Sequence, residues 1–283
     1  MTVTTKGTLT CAHSTSAVVR SLRGDHVPFL TTAGDPLSAL PLVYRRGRDF
    51  QVAADFVYLN PRDGTTTRVP AHQLDLPPHS GNSTDFASVP PFLWGLIANY
   101  GTQTLPAIMH DSLVGQLLRE PEEQRLALRR DADELFRVAL IDNGVHRLRA
   151  RVMWAAVGLE SWWRHGRGLG RVLIAQVAGG TLAVVASVAL GVALSPWWFA
   201  LALAPVALAV LWGRTAGLVS AATYLAALYA PLILGAFLAS HVENAIAMVV
   251  WLATGCKGPR PRAEPTVAWK EEYAPERAAP GPR

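Results

Sequence analysis

Between Val172 and Thr254 the chain stops behaving like a water-soluble protein. Val172 to Leu194 holds no charged residue and one strongly polar side chain, Gln176. Wound as an α-helix at ~1.5 Å per residue, that stretch is about 34 Å long, enough to cross the ~30 Å hydrocarbon core of a bilayer. Pro196 and the Trp197-Trp198 pair interrupt the run, Phe199 to Trp212 resumes it, Gly213-Arg214 breaks it again, and Leu218 to Ala239 is apolar with Pro231 inside. A soluble domain would keep a polar face on each of these segments, and none does. The reading is an α-helical transmembrane module over 166–256. Its spans are expected at about 172–194, 197–212 and 217–240, with a short fourth or re-entrant segment at 242–255.

Orientation follows from the basic residues. Arg164, Arg167 and Arg171 precede the first span, Arg214 sits in the second turn, and the Ser195-Pro196 turn is uncharged. Basic flanks stay on the cytoplasmic side, so residues 1–165 are expected inside the cell, under a multi-pass anchor in the cytoplasmic membrane. Lys257, Arg260 and Arg262 then call for an even number of crossings. That argument favours the short fourth segment, although ~13 residues reach only about 20 Å. Residues 257–283, rich in Pro, Arg, Ala and Glu, read as a disordered tail.

The chain has 283 residues, so about 165 remain for one cytoplasmic domain of ordinary size. A net charge of +5, spread along the chain, gives no basic patch and no reason to expect nucleic acid. Two cysteines, Cys11 and Cys256, lie too far apart in sequence to suggest a disulfide framework or a cysteine zinc site.

That domain reads as α+β, with a β-rich first half and three to four helices after it. Residues 1–48 are weakly patterned. Phe50 to Tyr58 and Thr65 to Val69 are β-forming runs joined by Asn60-Pro61-Arg62-Asp63-Gly64, a hairpin signature. His72 to Ser83 is a loop without periodicity. Ser83 to Pro90 is the most distinctive octet, and Phe92 to Ala98 follows as a short helix opened by Pro90-Pro91. Leu105 to Leu118 is a second helix, carrying His110-Asp111. A third, Glu122 to Asn143, has Pro121 and two acidic residues at its start and Asn143-Gly144 at its end. Its buried stripe is expected to be Leu128, Ala132, Leu135, Phe136, Ala139 and Leu140. A fourth helix starts near His146 and is expected to run unbroken toward the membrane. Arg147, Arg149, Arg151, Trp154, Trp162, Trp163, Arg164, Arg167 and Arg171 are its candidate interface residues, since tryptophan and arginine next to a span sit at headgroup level. The alternative is that Met153, Trp154 and Val157 pack in the core.

Asp85, His110, Asp111 and Asp133 are the residues to nominate for a metal or acid–base site. If the octet folded over the helix bearing His110, they would hold a divalent ion. The competing reading is structural: Asp85 braces its turn and accepts from His110, and Asp133 pairs with Arg129 or Arg137. No catalytic residue is assigned, no cofactor is required, and only a divalent metal is open. No phosphate-binding glycine loop or nucleophile elbow occurs. Few polar groups lie in the spans, which suits an anchor better than a pump. Gly191 with Ala183, Ala186 and Ala189 allows close helix packing, hence a homo-oligomer through the membrane helices.

Thr84 to Pro90, His110-Asp111, Arg129 with Ala132, Asp133 and Phe136, and Gly144-Val145 with Arg151, Met153 and Trp154 together resemble a small phage- and prophage-associated domain family of unknown function, over about residues 40–160. Joined to the membrane block, the architecture is similar to the CisA-type membrane proteins that accompany phage-tail-like contractile injection systems in filamentous bacteria. The resemblance implies a membrane-anchored adaptor for such a particle, with the lipid bilayer and a large protein assembly as partners. The alternatives are a membrane-bound metal-dependent hydrolase using the four residues above and a holin-like pore former.

Overall fold

A computed structural model describes residues 27–45, 49–79, 81–86, 101–256 and 260–261. Five short strands come first: β1 (Phe29–Thr31), β2 (Leu42–Tyr44), β3 (Phe50–Val52), β4 (Phe56–Leu59) and β5 (Thr66–Val69). β1, β4 and β5 form an antiparallel sheet in the order β1-β4-β5, while β2 and β3 form a separate antiparallel pair. The expected hairpin is β4–β5. Its turn is closed by Asn60 and Gly64 backbone bonds, and the Asn60 and Asp63 side chains accept from Arg62 and Thr65. Gly64 adopts φ +72°, a conformation that L side chains rarely take. Alternation along β4 buries Phe56 and Tyr58 on one face, where they meet Phe29 and Val69.

Four long helices follow: α1 (Thr104–Leu117), α2 (Glu122–Asp142), α3 (Arg147–His165) and α4 (Arg167–Ala193). Ile108 and Met109 of α1 and Ala139 of α2 complete the sheet's core. Phe136, Leu140, Val145, Ala150 and Met153 form a second cluster, where α2 meets α3. Each Phe, Leu, Ile, Val or Met side chain among these contributes about 1.5–3 kcal/mol when removed from water, and the alanines less. The expected α2 stripe holds at Ala132, Phe136, Ala139 and Leu140, whereas Leu128 and Leu135 are only half-buried. Arg129 lies inside instead, 2% exposed. Helix α2 ends as its Asn143-Gly144 pair predicts: Val145 N–H donates to Leu140 O and Gly144 N–H to Ile141 O, with Gly144 at φ +85°. The Tyr58 hydroxyl donates to Asp142 Oδ2 at 2.8 Å, pinning the sheet to the end of α2. Burial, and then that carboxylate, push the Tyr58 pKa up.

Helix α3 does not run unbroken into the apolar region. It stops at His165, and the chain turns at Gly166 and at Arg167, the first residue of α4, which takes φ +51°. After α4 come a 3₁₀ segment (Pro196–Leu203), a short helix α5 (Ala204–Ala209), a second 3₁₀ segment (Val210–Thr215) and helix α6 (Ala216–Ala253). The segment expected at 197–212 is therefore broken helix, not one regular span. The stretches expected separately at 217–240 and 242–255 share one helix of 38 residues. The octet residues 87–90, the short helix over 92–98 and nearly all of the tail lie outside the described residues.

Internal contacts give these segments their directions. Gly191 meets Phe199, Gly180 meets Pro205, and Trp212 Nε1 donates to Gln176 Oε1 at 2.7 Å, so residues 196–215 run back along α4. Leu173 and Val177 share a cluster with Leu218, Val219 and Ala222, and Thr181 Oγ1 donates to Thr223 O, so α6 then runs the same way as α4. The buried stripe of α4 is Gly170, Leu173, Val177, Ser187 and Gly191. Its opposite face is apolar and exposed, with Leu182 at 70% and Val192 at 79%. The two long helical runs, Arg167–Ala193 and Pro196–Ala253, are each apolar and long enough to cross a membrane. A continuous exposed apolar surface of this extent is what lipid would cover.

Candidate functional site

The four nominated residues fall into two groups, because neighbouring residues on a helix point about 100° apart. His110 faces α2 and Asp111 faces the strands.

On the strand side, Thr84 pairs with Phe50 through both backbone hydrogen bonds, at 2.8 and 2.9 Å. The Thr84 hydroxyl donates to Asp111 Oδ2 at 2.5 Å and accepts from the Phe86 N–H at 3.0 Å. Phe86, at φ +64°, stacks on Phe50 with ring centroids 4.5 Å apart. Asp85 is half-buried between these two anchors. The start of the octet is thus stitched to β3 by backbone and to α1 by one charge-assisted hydrogen bond.

On the helix side, His110 Nε2 and Asp133 Oδ1 are 2.7 Å apart, with side chains 8% and 2% exposed. His110 also lies 4.8 Å from the Phe136 ring, centroid to centroid. Ser161 of α3 donates to Asp133 Oδ2 at 2.7 Å and accepts from Arg129 Nε at 3.2 Å. Arg129 in turn lies 3.8 Å from Glu160, which binds Arg164 Nε at 2.8 Å. The result is a chain of hydrogen bonds and ion pairs running from α1 through α2 to α3, buried at His110, Asp133, Ser161 and Arg129. The expected bond from His110 to Asp85 is not what the fold makes: His110 is committed to Asp133, 23 residues away. Arg137 pairs with its neighbour Glu134, which raises the Arg137 pKa.

Ser161, His110 and Asp133 are not ordered as a nucleophile triad. The serine bonds the carboxylate, not the imidazole, and all three are closed off from solvent. Among the described residues, no group of three His, Cys, Asp or Glu side chains is placed to hold a metal ion. This arrangement locks three helices together.

Two residues that sequence reasoning passed over organise the 70–82 loop. Gln51, fully buried, donates to the carbonyls of Gln73, Leu76 and Asn82, and accepts from Arg45. Asn82 accepts from Gln73 N–H and donates back to Gln73 O. His72 Nδ1 accepts from Val52 N–H at 3.0 Å. A strand glutamine beside a long Pro-rich loop was the available signal: such a loop must find donors for its buried carbonyls.

The interface candidates separate as well. Arg147, Arg149 and Arg151 are exposed at the far end of α3 from the apolar helices. Trp163 is 58% exposed, and Arg167 and Arg171 are exposed as well. Trp162 is only 8% exposed, packed edge-on against Trp212 with centroids 5.6 Å apart, and Trp154 is half-buried against the same cluster. Trp162 is therefore a junction core residue, because the last turn of α3 is clasped between α4 and the start of α6. The Gly191 face, expected to admit a second copy, is filled by Phe199 of the same chain.

The strands from β3 onward, helices α1 and α2 and the first part of α3 coincide with a known sequence family. Residues 50–157 match the model of a protein family of unknown function, DUF1353. The matched stretch lies within residues 40–160, which carry the motifs noted above, and it contains all four nominated residues but not Ser161 or the apolar helices. No curated protein and no solved structure matches the chain.

Proposed function

We propose that this protein is a membrane-anchored adaptor. In this reading the DUF1353 region stands at the cytoplasmic face of the cell membrane and presents a surface to a large protein assembly. The likeness to CisA-type proteins points to a phage-tail-like contractile injection particle as that assembly. One observation carries the reading. Helix α3 begins in the core of the DUF1353 region and ends in a cluster shared with α4 and α6, where Ala155 and Trp162 meet Leu173, Val177, Leu218 and Ala222. A folded domain rooted directly in lipid-suited helices is built to hold something large at a fixed distance from a bilayer, whereas a flexible tether would not. The closed polar chain around Asp133 supports a structural role for the family motif rather than turnover of a substrate.

The test combines topology with capture. In intact cells, protease added outside should leave the first 165 residues whole, and in inverted membrane vesicles it should remove them. Crosslinking in cells should recover structural components of a contractile particle, and deleting residues 171–256 should release the remainder from membranes. Recovery of the intact chain in the soluble fraction, or cleavage of residues 27–165 from outside, overturns the proposal.

A further inference from the structure

We propose, on the membrane reading above, that Arg147 and Arg151 at the start of α3 hold the phosphates of anionic phospholipids in the cytoplasmic leaflet, and that Arg149 between them takes no part. A helix turns ~100° per residue, so residues seven or eleven apart point nearly the same way. Gly158 of α3 faces the apolar helices, because a Cβ there would lie 2.8 Å from Leu218 Cδ1 of α6. Ala155 and Trp162 lie toward the same side and are buried in the cluster with Leu173, Val177, Leu218 and Ala222. Arg151 and Arg147 precede Gly158 by seven and eleven residues and fall within about 20° of its direction, whereas Arg149 points roughly 180° away. The side of α3 that seats on α4 and α6 therefore continues through Arg151 and Arg147, ~10 and ~16 Å further along the axis, where both are exposed.

Lipid is the neighbour of membrane-suited helices wherever protein stops covering them, and the chemistry of this stripe matches a headgroup layer. Arg129, Arg164 and Arg167 lie beside carboxylates, but among the described residues Arg147 and Arg151 form no ion pair, and the first turn of α3 holds no acidic residue. The positive end of the helix dipole adds to the two guanidinium charges. Each guanidinium offers a planar fork of N–H donors that matches a phosphate. Leu148, 41% exposed, points within about 20° of Ala155, on the same side. An exposed apolar side chain beside two arginines suits the boundary where phosphates meet acyl chains. An acidic protein surface would answer the charges and leave Leu148 facing carboxylates. The stripe is continuous with the seat of α3 on the apolar helices, which sets these two arginines apart from Arg149.

The test uses the full chain with Cys11→Ser, Cys256→Ser and Leu148→Cys, so that a fluorophore attached at position 148 is the sole label. The labelled chain is placed in nanodiscs of phosphatidylcholine with a rising share of phosphatidylglycerol, all carrying a headgroup-spin-labelled lipid as quencher. Quenching is expected to rise with phosphatidylglycerol and to weaken with salt. Arg147→Gln and Arg151→Gln should each raise the share needed for half the quenching roughly fivefold, the worth of one arginine at an anionic surface. Arg149→Gln should leave that share unchanged. Native membranes holding the same chain are washed at alkaline pH. Chain that washes off overturns the anchor reading, and the lipid contact with it. Chain that stays, but shows quenching indifferent to phosphatidylglycerol or weakened equally by Arg149→Gln, overturns the contact alone. Absent quenching together with a spectral shift on adding poly-glutamate overturns it too, and assigns the arginines to an acidic protein surface.

Discussion

Replacing Asp133 by Ala removes the carboxylate on which three helices converge. Its two oxygens take 2.7 Å bonds from His110 and Ser161, and each such bond to a buried charged group contributes about 1.5–3 kcal/mol. The truncation also strands His110 and the 2%-exposed Arg129 in a site that no longer compensates them. Breaking a buried charged network from one side costs roughly 3–5 kcal/mol. For a folded unit of this size, ~2–4 °C of melting temperature goes with each kcal/mol, so a fall of about 6–20 °C is expected. Asp133→Asn should fall between wild type and Ala. Its amide oxygen can still accept from His110, and its NH₂ can donate to Ser161, whose hydroxyl retains the Val157 carbonyl at 2.9 Å. The assay is thermal unfolding of the detergent-solubilised full chain, followed by near-ultraviolet circular dichroism. An Asp133→Ala protein that melts within the range of a surface substitution, about 0.5 kcal/mol, refutes the argument that this network holds the helices together. Loss of stoichiometric divalent-metal binding at unchanged stability would instead favour the hydrolase reading.

The remaining predictions follow from single contacts. Thr84→Val keeps the shape but removes the hydroxyl shared by Asp111 and the Phe86 amide; it should cost about 1–3 kcal/mol and speed hydrogen exchange at Thr84 and Phe86 more than elsewhere. Gly170→Ala and Gly168→Ala, two residues apart in α4, should differ in sign. A Cβ on Gly170 collides with the Trp162 carbonyl oxygen and must force α3 and α4 apart, whereas Gly168 has nothing within 4 Å and should gain ~0.5–1 kcal/mol, both read by thermal unfolding. The Ala71 N–H and the Arg68 guanidinium hold the Asp55 pKa below its ordinary value. A depressed carboxyl pKa stabilises the fold fully above about pH 4, and the gain is lost as pH falls through the lowered value. Unfolding temperature measured from pH 6 downward should therefore drop in that window, and Asp55→Asn should flatten that part of the curve.

Much of the fold was legible because local chemistry and global burial agree there. Asn60 to Gly64 can hardly be anything but a hairpin turn, and Asn143-Gly144 ends α2 through two specific backbone bonds. The helix ends at His165 and near residue 240 were misjudged for opposite reasons. At Gly166 a real stop signal was overridden by the basic, tryptophan-rich pattern around it: Arg164 and His165 in the last turn with a glycine at the cap are how a helix ends, and there the chain redirects into α4. At Ser240 to Asn244 a polar cluster looks like an end, yet polar side chains do not interrupt a helix whose backbone hydrogen bonds stay made.

The site was legible as a set of residues but not as a set of pairs. His110 and Asp111 are adjacent in sequence, which invites a shared role, and a helix sends them to different neighbours. Which carboxylate His110 meets depends on the packing of α1 against α2, and no spacing within either helix encodes that. The tertiary fold likewise put Arg129 inside, where its guanidinium reaches Ser161 and Glu160, although periodicity offered Leu128 for that side of the stripe. Ser161 and Glu160 sit on the same turn of α3 as Trp162, which packs against Trp212 of the apolar region. The polar chain that begins at His110 therefore passes, at Ser161, one residue from the junction with the membrane-suited helices. Loosening Asp133 should consequently be felt at Trp162 as well as within the DUF1353 region. A single cooperative melt spanning both, rather than two separable transitions, is the behaviour this connection requires.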